Sequence, residues 1–97
     1  MFKVGKLYIC EEYFLLLYPD PDTALAGAIA DLFSPVPAVA HAAFWTRKLG
    51  KSVSYTEKKV PLLVLNNREK YVEVLAGDRK GWIIFNDYLN IKEIDYA

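Results

Sequence analysis

The chain is short of the residues from which most catalytic and metal sites are built. Among 97 residues there is one cysteine, Cys10, and one histidine, His41. A lone cysteine closes no internal disulfide and anchors no cysteine-rich zinc site. Stability therefore has to come from packing, which suits a reducing compartment. Net charge is absent too: twelve Lys and Arg balance twelve Asp and Glu, which argues against a dedicated polyelectrolyte binder. The five glycines are isolated from one another, so no Gly-rich phosphate loop exists. Long apolar runs are missing as well. The longest apolar region, Ala24 to Trp45, is broken by Asp31, Ser34, Pro35, Pro37 and His41, and its alanines give little insertion energy. Met1 to Lys6 lacks the apolar core of a signal peptide. The expectation is a soluble, cytoplasmic chain with no membrane partner.

What is present is enough for one core. Hydrophobic residues make up 54% and charged residues 25%, which excludes general disorder. A chain of this length buries ~60–70% of its extended surface on folding. Residues 1–97 are therefore read as one domain.

Three segments differ in pattern. From Lys6 to Pro19, aliphatic residues mix with Tyr8, Tyr13 and Tyr18, which favours short strands. Glu11-Glu12 marks a bend between them, and Pro19-Asp20-Pro21-Asp22 ends extended structure. From Asp22 to Gly50 the chain turns Ala-rich. Asp22 or Thr23 can cap a helix, and Leu25, Ala28, Ile29, Leu32 and Phe33 form one helical stripe. Ser34-Pro35-Val36-Pro37 breaks it. A second helix runs from about Pro37 to Leu49, with Arg47 and Lys48 complementing its dipole and Gly50 ending it. From Lys51 onward the chain reads as strands: Val53 to Glu57, Val60 to Leu65, Lys70 to Ala76, Gly81 to Phe85 and Leu89 to Ile94. Turns fall at Asn66 to Glu69 and Gly77 to Lys80. The unbroken apolar run Val60 to Leu65 predicts a strand covered on both faces.

The string VPLLVLNNREKYVEVLAGDRKGWIIFNDYLNIKEI, Val60 to Ile94, resembles the C-terminal half of a Src-homology-3 (SH3) domain. Gly81-Trp82-Ile83 matches the family's Gly-Trp element. Asn86-Asp87-Tyr88-Leu89 matches its short turn and final strand. YFLLLYPDPD, Tyr13 to Asp22, looks like the first strand and turn of the bacterial SH3 type. The chain is also similar, more faintly, to small SH3-like phage proteins. The resemblance implies a mainly β fold: a small SH3-like β-barrel of about five or six short strands. An Ala-rich helical hairpin would be inserted at about residues 22–50, in place of the family's long first loop. It also implies a non-catalytic interaction module. Departures from the family stand at its peptide groove. Tyr71 occupies the place of a groove Trp and Ile84 that of a Pro, so a proline-peptide activity is not carried over.

No catalytic constellation can be assembled, so the expectation is no enzyme activity, no metal and no cofactor. His41 lies mid-helix without a nucleophile nearby, and is expected at a helix surface or edge. Acidic neighbours disfavour a Cys10 thiolate. Glu11 and Glu12 point to opposite faces of a strand. Two features remain. Tyr55, Tyr71, Trp82 and Tyr88 are expected to approach one another, with Trp45 and Phe44 as a lid. These aromatics are the partner-binding candidates, for a protein partner or a second copy. Arg47, Lys48, Lys51, Lys58 and Lys59, with Tyr55, form a basic stretch that would serve the alternative, nucleic-acid binding.

Overall fold

The segment from Lys6 to Pro19 forms two strands that part company at the expected bend. A computed structural model describes residues 2–11, 14–27, 37–84 and 91–94, with the backbone alone for 25–27. In it, β1 (Leu7–Cys10) and β2 (Leu15–Leu17) flank a bend at Glu11 and enter different sheets. The C-terminal half supplies β3 (Ser54–Thr56), β4 (Leu62–Arg68), β5 (Tyr71–Ala76), β6 (Arg79–Ile84) and β7 (Ile91–Glu93). One antiparallel sheet has the order β6-β5-β4-β1-β7, and β2 pairs with β3 in a second. The molecule is mainly β, as expected. Among the described residues no ladder joins the sheet edges β6 and β7.

The two sheets meet where β2 crosses β6. Trp82 N–H donates to the Tyr18 carbonyl at 2.7 Å, and Tyr18 N–H donates back to the Trp82 carbonyl at 3.0 Å. Such an approach needs a missing side chain, and Gly81 provides it. A Cβ there would stand 2.5 Å from Leu17 Cβ and 2.7 Å from its carbonyl carbon. Strand alternation then divides the interior. Leu15, Leu17, Leu62, Val64, Val72, Val74 and Ile83 build one cluster with Phe2 and Tyr8. Leu16, Tyr18 and Trp82, the intervening residues, build a second with Ala24, Ala42, Trp45 and Val53. β2 is buried on both faces because it lies between the two.

Helix α1 (Pro21–Gly27) starts one residue before the expected caps. Asp20 is the cap: its Oδ1 accepts the Thr23 N–H at 2.9 Å, and its carbonyl accepts the Thr23 hydroxyl at 2.9 Å. Pro21 occupies the first helical position, where a missing N–H costs nothing. The predicted continuation of this helix, Ala28 to Phe33, lies outside the described residues. Helix α2 (Ala38–Leu49) ends at Gly50, which adopts the left-handed conformation with φ 70° as expected. Ala38, Ala42 and Trp45 face inward, whereas Val39 and Phe44 are exposed.

Two expectations about β4 need correction. Its apolar run is not covered on both faces: Leu62 and Val64 are buried, Leu63 is half-buried and Leu65 is exposed beside a bulge. Asn66 and Asn67 are strand residues rather than a turn. They pair with Glu73 and Val72, and Asn67 Nδ2 donates to the Phe2 carbonyl. The turn is the tighter Glu69-Lys70, with Glu69 at φ 57°. No helix among the described residues is long and apolar enough to cross a membrane.

Candidate partner-binding groove

Tyr55, Tyr71, Trp82 and Trp45 come together in the second cluster. Tyr88 lies outside the described residues. The gathering is tight enough to remove both indoles from solvent: Trp45 is 7% and Trp82 8% exposed. Tyr55 and Tyr71 are half-buried at its margin. Helix α2 carries Trp45 into the same cluster as Trp82. Phe44 stays outside that cluster. It is 47% exposed, on the outer side of α2, edge-to-face with Trp45 at 5.3 Å between centroids. Cations rest over the aromatic rim: Arg68 lies 5.5 Å from the Trp82 centroid and Lys70 5.7 Å from that of Tyr71.

The open feature lies beside this cluster, between α2 and the strand β3. It is a groove of about 540 Å³. Val39, Ala42, Ala43, Thr46 and Arg47 of α2 line one wall. Ser52 to Tyr55 and Arg79 line the other. Ala42 and Val53 also belong to the second cluster, so the groove floor is the outer skin of the core. Thr46 ties the walls together. Its hydroxyl donates to the Ala42 carbonyl at 2.7 Å and accepts the Val53 N–H at 2.9 Å.

Arg79 was not singled out from the sequence, where it reads as a turn residue. It is instead the first residue of β6, and it reaches across to β3. Its Nη1 donates to the Tyr55 carbonyl at 3.0 Å, and its guanidinium lies 4.2 Å from the Tyr55 ring centroid. The contact joins residues 24 apart, so no local pattern announces it. Among the described residues no Asp or Glu lines the groove.

The basic stretch is dispersed. Arg47 lines the groove. Lys48 lies 5.8 Å from the ring centroids of Phe44 and Trp45. Lys51 is engaged by Asp20 at 2.9 Å. Lys58 and Lys59 are exposed in the turn after β3 and do not line the groove. The Thr23 backbone N–H, followed by the Lys51 ammonium, holds the Asp20 carboxyl below its ordinary range. Cys10 is buried in the first cluster, and His41 is half-buried with its ring 5.6 Å from Phe14. Among the described residues no three of His, Cys, Asp and Glu gather to hold a metal ion. Comparison with protein-family models, with curated proteins and with solved structures finds no match to this chain.

Proposed function

We propose that this chain is a non-catalytic interaction module of SH3-like architecture, working through the surface around α2 and β3 on a protein partner. One observation carries the reading. Helix α2 leaves Val39 59% exposed on the wall of a groove floored by Ala42 and Val53, and an apolar groove open to solvent is a surface that a partner can cover. The SH3-like part rests on the resemblance read from Val60 to Ile94. The hairpins β4-β5 and β5-β6 support it, with Gly81-Trp82 falling on β6 where the matched motif requires a strand. The barrel belongs to this proposal, as does the covering of its aromatic face by the helical segment. Nucleic-acid binding through Arg47, Lys48, Lys51, Lys58 and Lys59 has less support, because Lys51 is matched by Asp20 and Lys58-Lys59 lie away from the groove.

The reading is tested with Val39→Ser and Phe44→Ser. Both side chains are exposed, so circular dichroism and Tm should stay close to wild type. Sedimentation velocity and binding to purified candidate proteins are then compared across the three chains. Association that weakens in the variants, with a partner or with a second copy, supports an interaction role for this face. Association unchanged by both variants places binding elsewhere and overturns it.

A further inference from the structure

Resting on the interaction-module reading, we infer that the groove between α2 and β3 takes an acidic, apolar segment of a partner protein. The argument is charge complementarity along an open groove. Among the described residues two charged side chains line the groove, Arg47 and Arg79, and both are cationic. Arg79 is held in place by the carbonyl and ring of Tyr55. Neither arginine has a carboxylate partner among the described residues. A guanidinium keeps several N–H donors after one is used, and a carboxylate is the group that matches them in pairs. Fixing the guanidinium beforehand lowers the ordering cost of binding. The floor asks for something else. Ala42, Val53 and the exposed Val39 offer apolar contact, which a hydrophobic side chain fills and a phosphodiester backbone does not. An acidic residue next to an aliphatic one satisfies both demands.

The experiment uses the whole chain, labelled with nitrogen-15, and three probes: an acetylated octapeptide of alternating Glu and Leu, its Gln-Leu counterpart, and a ten-nucleotide oligo-dT. The Glu-Leu peptide should shift amide resonances of Val39–Arg47, Ser52–Tyr55 and Arg79. Its affinity should fall at least ten-fold in the Arg47→Gln, Arg79→Gln double variant, and stay unchanged in Arg68→Gln, whose guanidinium sits on Trp82. Tm of each variant, measured alongside, separates lost binding from lost folding. Equal binding of the Gln-Leu peptide, or binding that survives loss of both arginines, overturns the acidic preference while the interaction reading stands. Groove shifts with oligo-dT and with neither peptide overturn both. Shifts confined to residues outside the groove also overturn the inference.

Discussion

At the scale of single residues, the fold depends on places where one atom too many or too few has no alternative. Gly81 is the sharpest. An alanine methyl there would lie 2.5 Å from Leu17 Cβ and 2.9 Å from its Cα. Much of that obstruction is backbone, so no rotamer change relieves it. Gly81→Ala should lower stability by about 1–3 kcal/mol, as overpacking does. Urea unfolding checks this, and an unchanged midpoint would mean that β2 does not cross β6 so closely. Trp82, 8% exposed, is the complementary case. Trp82→Ala should cost about 3–5 kcal/mol, the usual range for a buried aromatic. A near-neutral result would make it a surface residue instead. Gly81-Trp82 stood out in the sequence only through its resemblance to the SH3 Gly-Trp element. What approaches it was not legible, since Leu17 lies far away along the chain.

At the scale of elements, local chemistry set most boundaries, and the exceptions have physical causes. Asn66-Asn67 has strong turn character, yet ladder pairing with β5 and the bond to the Phe2 carbonyl recruit it into β4. Capping of α1 moved to Asp20 because Pro21 is pre-shaped for the first helical position. That cap titrates. A carboxyl whose folded pKa is depressed contributes stability fully above its unfolded pKa, and loses it as pH falls through the folded value. Asp20 is such a group. Asp20→Asn keeps an acceptor for the Thr23 N–H but cannot ionise. The wild-type advantage in Tm should therefore be greatest at neutral pH and vanish in acid, and shrink in high salt because Lys51 is exposed. A Tm difference constant across pH would contradict the cap assignment. Thr46 governs the packing of α2 on the entry to β3. Thr46→Val strands the Val53 N–H, and Val53 is buried. The expected loss is about 1–3 kcal/mol by thermal or urea unfolding; no loss would mean that water replaces the hydroxyl.

At the scale of the whole molecule, the account turns on what the Ala-rich segment does to the aromatic face. The aromatic surplus, placed on the barrel that the SH3 resemblance implies, leads to the expectation of Tyr55, Tyr71, Trp82 and Tyr88 together, with Trp45 and Phe44 above them. Tyr55, Tyr71, Trp82 and Trp45 do gather, and Tyr88 lies outside the described residues. The sequence could not tell a closed face from an open one. That depends on the side of α2 turned inward, and Ala38, Ala42 and Trp45 won over Val39 and Phe44 because the small alanines let the helix approach while the indole fills the space. In the proposed reading α2 covers this face, and the available surface is the groove where Arg79 meets Tyr55. Acrylamide quenching of Trp82 as the sole tryptophan, in Trp45→Phe, tests the closure most directly. The account predicts blue-shifted emission and quenching several-fold weaker than in the urea-unfolded chain. Quenching equal to that of the unfolded chain, in a protein still folded by circular dichroism, would mean that the face stands open and that α2 does not cover it.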